Sequence, residues 1–294
     1  MPLRHGQAVA LMVLVTAMWS IAGVVTRQLD AARSFEVTFW RSFFTMVSLL
    51  VILPLWQGRA VWRRWPWRSA YFWLSGLCWS VMFTAFMVAL TLTAVANVLI
   101  TMALGPLVTA LFTRVALRHP LPRRTWAAIV VAGLGIAWIY GSQLSLGAPH
   151  LLLGSLVALC VPVAGAVQWT LVQKSHAEGL NLDLVPSVLL GAALSALLTL
   201  PLAWPLQASG HDVLLLAGLG LFQLAIPCAL SVVCARVLPA PEVALLALLE
   251  IVFGILLAWW GAKETPPSSV WLGGSLVLGA LVANEVFAWR KKRV

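Results

Sequence analysis

Long apolar stretches recur along the whole chain, and they constrain its fold more than any other feature. The first begins at Ala8 and contains no charged residue before Arg27. A helix that crosses the hydrocarbon core of a bilayer needs about 20 such residues, because it rises about 1.5 Å per residue. The composition agrees, since 62% of the 294 residues are hydrophobic and only 10% are charged. The sequence therefore predicts an all-α integral membrane protein.

Ten apolar stretches are separated by short polar breaks. They cover approximately residues 8–27, 36–56, 69–90, 94–117, 125–141, 151–173, 183–206, 212–234, 240–260 and 268–289. Ten transmembrane helices leave too little chain for a soluble catalytic or DNA-binding domain. A helical bundle is predicted, because helices satisfy their own backbone hydrogen bonds in lipid.

The basic residues are distributed unevenly over the predicted loops. With a cytoplasmic N-terminus, 15 of the 19 Lys and Arg residues lie in cytoplasmic segments. The outer loops hold only Arg27, Arg33 and Lys263, and Arg41 lies within the second span. Cytoplasmic loops of membrane proteins are enriched in Lys and Arg. The net charge of +10 is therefore interpreted as an orientation signal that places both termini in the cytoplasm, and no nucleic-acid partner is predicted.

The chain divides at the uncharged polar stretch 141–149 into two halves with five predicted spans each. The halves are residues 1–145 and 146–294. An odd number of spans makes the second half enter the membrane in the opposite orientation, which indicates an inverted repeat. At an offset of 145 residues the halves match at five positions: Val98 with Val243, Leu104 with Leu249, Leu111 with Leu256, Pro122 with Pro267, and Trp126 with Trp271.

Short motifs in both halves resemble those of a known family. In the first half these are Ala17-Met18-Trp19-Ser20, Phe39-Trp40-Arg41, Ala89-Leu90 and Leu104-Gly105-Pro106-Leu107; in the second half they are Leu249-Glu250-Ile251-Val252, Gly261-Ala262-Lys263-Glu264 and Gly273-Gly274. With ten spans, the pattern is similar to the drug/metabolite transporter superfamily, in particular to bacterial members built from two EamA-type repeats. The sequence departs from that pattern at Ile251, where proline is common, and at His119, where an acidic residue is usual.

This resemblance implies a fold and a broad function. The fold is a basket of helices around a central cavity, whose two halves move to give alternating access, in the bacterial cytoplasmic membrane. The superfamily includes exporters of amino acids and of other metabolites, and also exchangers of nucleotide sugars and sugar phosphates. The many tryptophans and few carboxylates of this chain most resemble the aromatic amino acid exporters.

Tryptophan is the commonest aromatic residue, with 16 Trp against 2 Tyr. Most of the tryptophans lie near predicted span ends, where an indole is favourable at the level of the lipid headgroups. Trp19, Trp79 and Trp169 lie deeper. We predict that these three bind substrate by stacking or by contact with a cationic amine, and the alternative for each is packing within the bundle.

Two ionisable residues are predicted at membrane depth, where burial is costly and a functional role is common. Glu250 lies near the centre of helix nine, and its carboxyl group is a candidate for binding and releasing a proton. The alternative is a hydrogen bond to a neighbouring helix. Arg41 is a candidate for binding a substrate carboxylate. The alternatives are that Arg41 extends outward to the interface or pairs with Glu36.

Uncharged polar residues and prolines complete the predicted site. Asn97, Thr101, Gln168 and Gln223 are candidates for orienting a substrate, although each residue could instead bond a neighbouring helix. Pro106, Pro162 and Pro227 interrupt helices four, six and eight. They are predicted to free backbone carbonyls or to permit gating motions, and the alternative is an ordinary kink.

The predicted function is a secondary transporter that exports small amphiphilic metabolites, most favourably aromatic and other apolar amino acids. The alternatives are another cargo, such as a lipid-linked sugar, a nucleotide sugar or a cationic drug, and a membrane-embedded transferase. No cofactor or metal is predicted, because the histidines fall outside the spans and no nucleotide-binding motif occurs. The four cysteines are expected to be buried free thiols. A monomer is compatible with the sequence.

Overall fold

The computed structural model describes residues 3–32, 34–63, 65–117, 123–145, 149–180, 182–238, 240–261 and 268–292. These residues form helices joined by short connections and contain no strand. The helices are α1 (His5–Trp19), α2 (Ile21–Thr26), α3 (Ser34–Gln57), α4 (Ala70–Leu92), α5 (Val95–Met102), α6 (Gly105–Leu117), α7 (Arg123–Ser145), α8 (Pro149–Ala158), α9 (Cys160–Ala177), α10 (Pro186–Ala203), α11 (Gly210–Gly218), α12 (Ile226–Cys234), α13 (Ala240–Ala247), α14 (Leu249–Gly261) and α15 (Ser268–Lys292). A 3₁₀ segment covers Arg59–Arg63, and a π-helical segment, Leu219–Ala225, joins α11 to α12.

Eight helical stretches of the described residues are long and apolar enough to cross a membrane. They are His5–Thr26, Phe35–Gln57, Ala70–Leu92, Val95–Phe112, Leu152–His176, Pro186–Ala203, Gly210–Cys234 and Glu242–Gly261. The predicted spans five and ten correspond to α7 and α15, whose apolar parts, Trp126–Trp138 and Ser268–Ala280, are shorter than a full span. The all-α membrane fold is confirmed, whereas the count of ten spans stays a prediction.

Five of the eight long spans are interrupted, and prolines explain three of the interruptions. The breaks separate α1 from α2, α5 from α6, α8 from α9, α11 from α12 and α13 from α14. Pro106, Pro162 and Pro227 lie beside three of them, and a proline has no N–H to donate to the carbonyl four residues earlier. The sequence analysis missed the other two breaks. At the first, the Ser20 hydroxyl donates to the Ala17 carbonyl, a contact that bends helices.

The break in helix nine is a tight turn without proline. The Leu248 N–H donates to the Leu245 carbonyl, and the Ile251 N–H donates to the Leu248 carbonyl. Both bonds span three residues, so the chain narrows to a 3₁₀ turn between α13 and α14. Glu250 follows this turn directly.

The unbroken helices form the packed part of the bundle. Helix α10 packs against both α3 and α4, while α15 packs along α7. The backbones of α7 and α15 approach so closely that a Cβ atom added at Gly135 would lie 2.6 Å from the Gly273 carbonyl oxygen. The interrupted helices pack against one another, with α1 against α12, α6 against α9, and α14 against α2 and α5. The breaks meet near the centre, where the bundle encloses a cavity.

Parts of the sequence analysis lie outside the described residues. These are the basic residues Arg33, Arg64, Arg118, Lys263 and Arg293, the turn positions His119, Ala262 and Glu264, and the matched prolines Pro122 and Pro267.

Candidate functional site

A cavity with about 850 Å³ of empty space, part of it open to the outside, lies where the interrupted helices meet. Residues of α1, α3, α4, α5, α6, α9, α12, α13, α14 and the π-helical segment line the cavity. Eight residues of the predicted site are among them: Trp19, Arg41, Trp79, Pro106, Pro162, Trp169, Gln223 and Glu250.

Aromatic side chains form one wall of the cavity. The rings of Trp79 and Trp169 meet edge to face, with centroids 5.9 Å apart and an interplanar angle of 87°. Phe83, one helical turn after Trp79, has its ring centroid 5.5 Å from that of Trp79. Trp79 is only 3% exposed, and its indole N–H has no hydrogen-bond partner. A buried donor without a partner is costly, so this N–H is available to a ligand.

Arg41 lies on α3 and is fully buried. Its Nη1 donates to Gln223 Oε1 at 3.1 Å, and its Nη2 donates to the Phe83 carbonyl at 2.7 Å. Gln223 in turn donates through Nε2 to the Trp19 carbonyl at 3.3 Å. The guanidinium carbon lies 5.8 Å from the centre of the Phe86 ring. This network holds a cation beside the aromatic wall.

Both alternatives for Arg41 are wrong, since it neither extends outward nor pairs with Glu36. The Glu36 carboxylate, also fully buried, instead accepts from the backbone N–H groups of Gln207 and Ala208, both at 2.7 Å. Glu36 therefore anchors the segment that follows α10. Arg41 turns inward because the Phe83 carbonyl and the Gln223 amide offer it acceptors in the cavity wall.

Glu250 faces the same cavity as Arg41 without forming an ion pair with it. Its side chain is in the first turn of α14 and is 7% exposed. Among the described residues, none donates a hydrogen bond to this carboxyl group, and no ion pair within 4.0 Å joins it to Arg41. The cavity thus contains one acidic and one basic side chain that form no ion pair with each other.

The comparisons with known proteins agree with this architecture. Residues 6–141 match the EamA-like transporter family. The first half of the chain is therefore similar to EamA-like transporters, and the match covers a little less than half of the whole chain. Members of the family are transporters, which argues against the membrane-embedded transferase.

One solved crystal structure resembles the chain over nearly its full length. The similarity covers 97% of this chain and 98% of the other, with a TM-score of 0.68 and 20% sequence identity. At this identity the likeness shows the fold alone. It extends over the second half of the chain, which the family match does not reach. No curated protein is significantly similar to the chain in sequence.

Four residues of the predicted site do not line the cavity. In the EamA-like half, Asn97 Nδ2 donates to Thr93 Oγ1 at 2.9 Å, and Thr101 Oγ1 donates to the Asn97 carbonyl at 2.8 Å. Gln168 accepts from the Ser75 hydroxyl at 2.8 Å. Pro227 is buried in the first turn of α12. The structure places Asn97, Thr101 and Gln168 in contacts within and between helices, which was the alternative for each.

Several cavity residues were missed by the sequence analysis. They are the apolar side chains and small residues Met82, Phe83, Phe86, Met102, Gly105, Thr109, Gly165, Ala166, Cys228, Ala244 and Ala247, together with neighbouring aliphatic residues. Most are residue types that occur throughout a membrane bundle, so the sequence does not distinguish them as cavity residues. Gly105 is an exception, because it directly precedes Pro106 at a predicted interruption. Cys228 is buried as expected, but the same expectation is wrong for Cys160, which is exposed.

One cluster outside the cavity contains metal-ligating residue types. Ligand atoms of Asp30, His211 and Asp212 lie within 4.8 Å of one another. The fully buried Asp212 carboxylate, however, accepts from the backbone N–H groups of Asp30, Ala31 and Ala32 at 2.9–3.0 Å. These bonds explain the cluster as an anchor between the segment after α2 and the start of α11.

Proposed function

We propose that the protein is a secondary transporter that exports small zwitterionic metabolites, with aromatic and other apolar amino acids as the favoured cargo. The observation that carries the proposal is the cavity itself, where Arg41 and Glu250 are buried beside an aromatic wall without pairing with each other. An amino acid offers a carboxylate to the guanidinium and an ammonium to the carboxylate. Its apolar side chain is left to contact Trp79 and Trp169.

The charge of the cavity favours this cargo over a phosphorylated one. Arg41 is the only Lys or Arg among the described residues that line the cavity. Binding sites for phosphate groups commonly use several convergent basic side chains, because a phosphate carries more negative charge than a carboxylate. A nucleotide sugar or lipid-linked sugar therefore fits this lining less well. A purely cationic drug would leave Arg41 without an anion.

The interrupted helices support transport by alternating access. Each break lies at the level of the cavity, so the two parts of a span can tilt separately. We propose that residues 1–145 and 146–294 form two inverted repeats that move relative to each other, with Pro106, Pro162 and Pro227 at points of bending. We further propose a bacterial cytoplasmic membrane location with both termini in the cytoplasm and outward transport.

Transport by the purified protein tests the proposed cargo. Vesicles that contain the protein are loaded with one unlabelled amino acid and placed in a labelled solution of the same compound, and uptake by exchange is followed. We expect exchange of tryptophan, phenylalanine and other apolar amino acids above protein-free vesicles. A nucleotide sugar, a sugar phosphate and a quaternary ammonium compound serve as the contrasting panel. Exchange of only these compounds, or of none, contradicts the proposal.

A further inference from the structure

Most glycines between helices are needed for close packing. A Cβ atom added at Gly220 would lie 2.7 Å from Phe44 Cβ, and one added at Gly254 would lie 2.6 Å from Leu99 Cδ1. Distances below about 3 Å are not tolerated without movement of a neighbour. These glycines let helices approach each other. The absence of a side chain at these positions is therefore explained by helix packing.

Gly165 is different, because packing leaves room for a side chain there. It lies within α9 and lines the cavity. An added Cβ atom would be 3.7 Å from Met82 Sδ and 3.8 Å from Trp169 Nε1, which are ordinary van der Waals distances. The backbone of Gly165 is also not in the left-handed region that favours glycine. Glycine within a helix destabilises it relative to alanine, so its presence here has another basis.

The cavity beside Gly165 adjoins the aromatic wall at Trp169. Trp169 borders this space and touches Trp79, Trp79 touches Phe83, and the Phe83 carbonyl accepts from Arg41. A chain of three aromatic side chains thus connects the guanidinium to the space at Gly165. The unpartnered Trp79 N–H lies within this chain and independently indicates a ligand.

We propose that the space beside Gly165 is the subsite for the side chain of the cargo, and that the missing side chain at Gly165 sets the upper size limit. This inference rests on the proposed function, since it assigns the two ends of an amino acid to two ends of the cavity. The carboxylate lies toward Arg41, and the aromatic ring packs in the cavity against the face formed by Gly165 and Trp169. A larger residue at position 165 occupies the space that the ring needs.

The test compares graded substitutions at Gly165 with a matched substitution elsewhere. Gly165→Ala and Gly165→Leu are measured in the vesicle exchange assay with tryptophan, phenylalanine and alanine as cargo. We expect Gly165→Leu to slow tryptophan exchange about 10-fold or more, because overfilling a packed site is unfavourable. We expect Gly165→Ala to slow exchange less than Gly165→Leu does, and again to slow tryptophan more than phenylalanine. Exchange of the cargo alanine changes by less than about twofold in both variants.

Gly133→Leu is the matched control. Gly133 also lies within a helix and has no atom within 4 Å of an added Cβ, but it is exposed on α7 and does not line the cavity. The substitution therefore adds the same side chain without filling the proposed subsite. We expect it to leave the ratio of tryptophan to alanine exchange unchanged. Size-exclusion profiles establish whether each variant is folded. If Gly165→Leu does not fold, the comparison of cargoes is made with Gly165→Ala.

The outcomes separate the subsite from the proposed function. The subsite is overturned if the wild-type protein exchanges tryptophan but the Gly165 variants slow the exchange of all cargoes equally or not at all. This outcome leaves the proposed function intact. Absence of amino acid exchange by the wild-type protein overturns the proposed function and the subsite with it. A size-dependent loss at Gly165 that Gly133→Leu does not reproduce supports both.

Discussion

Polar side chains are buried in two regions of the bundle, and the two regions satisfy them differently. Where α10 packs against α3 and α4, hydroxyl groups pair with one another. The Ser195 hydroxyl lies 2.9 Å from Ser42 Oγ and 2.8 Å from Thr84 Oγ1. Ser75 is likewise 2.6 Å from Ser187 Oγ. These groups hold helices together and have little capacity left for a ligand.

The cavity leaves polar atoms without partners. Arg41 Nε and Trp79 Nε1 make no hydrogen bond, and the Glu250 carboxyl group accepts none from the described residues. A buried polar atom without a partner costs free energy, commonly a few kcal/mol. The difference between the regions indicates that the packed interface stabilises the fold, whereas the cavity retains the capacity to bind a ligand. Outside the cavity, Gln168 Nε2, Glu36 Oε2, Trp65 Nε1 and Asn97 Oδ1 also have no partner.

Among substitutions in the two regions, a change of Arg41 is expected to have the largest effect on transport. We expect Arg41→Gln to slow amino acid exchange by about 100-fold, because charged hydrogen bonds contribute on the order of 1.5–3 kcal/mol. Initial exchange rates in vesicles, at equal amounts of monodisperse protein, measure the effect. Arg27→Gln is the control: Arg27 also donates to two carbonyls, those of Leu90 and Thr93, but does not line the cavity. Equal losses in both variants would contradict a specific role for Arg41.

Substitution of Glu250 tests whether the cavity carboxylate couples transport to protons. We expect a proton gradient directed into the vesicles to change the rate of wild-type exchange or efflux and to have no effect on Glu250→Gln. The amide keeps the shape of the side chain but cannot bind or release the proton. The measurement is transport with and without an imposed pH gradient. If the variant retains the response of the wild type, proton coupling through Glu250 is excluded.

Substitution of Trp79 has a smaller expected effect. Trp79→Phe keeps an aromatic ring and removes the N–H, which has no partner in the protein. We expect KM for tryptophan to rise about 2–10-fold, the range for one neutral hydrogen bond, while the melting temperature stays within about 2 °C of the wild type. An unchanged KM shows that the N–H does not contact the cargo. A large loss of stability shows that the ring acts through packing.

Substitution of Ser195, in the packed interface, has the smallest expected effect on transport. Ser195→Ala removes the hydroxyl that meets Ser42 and Thr84, and we expect the free energy of unfolding to fall by about 1 kcal/mol, since hydrogen bonds between membrane helices average about 0.6 kcal/mol each. KM and the maximal rate stay at wild-type values. Equilibrium unfolding in mixed detergent measures the free energy of unfolding, and vesicle exchange measures KM and the maximal rate. A changed KM removes the distinction between the two regions.

The depth of residues in the membrane was predictable from the sequence, but their direction around each helix was not. Trp19, Trp79, Trp169 and Gln223 were selected by depth, and they line the cavity. Asn97 was selected by the same criterion, yet its amide bonds to Thr93. A helix surrounded by lipid and by apolar neighbours is apolar on all sides, so no periodic pattern marks the face that is turned toward a cavity.

Prolines made three interruptions predictable, because the missing N–H is visible in the sequence. The breaks beside Ser20 and Leu248 have no such marker. A serine within a helix either faces a neighbour or bonds to its own backbone, and the choice depends on the surrounding helices. The number of spans shows a similar limit: the apolar parts of α7 and α15 are shorter than the stretches that hydropathy alone suggested.

The apolar stretches of the sequence are sufficient to predict an all-α membrane protein, because only helices can satisfy the backbone of such long stretches in lipid. It also identified the few ionisable residues at membrane depth, since these are rare in so apolar a chain. Only the three-dimensional structure shows which of these ionisable residues line the same cavity. Arg41 and Glu250 are separated by more than 200 residues in the sequence, and only the packing of the interrupted helices brings them to one cavity while leaving each without the other as a partner.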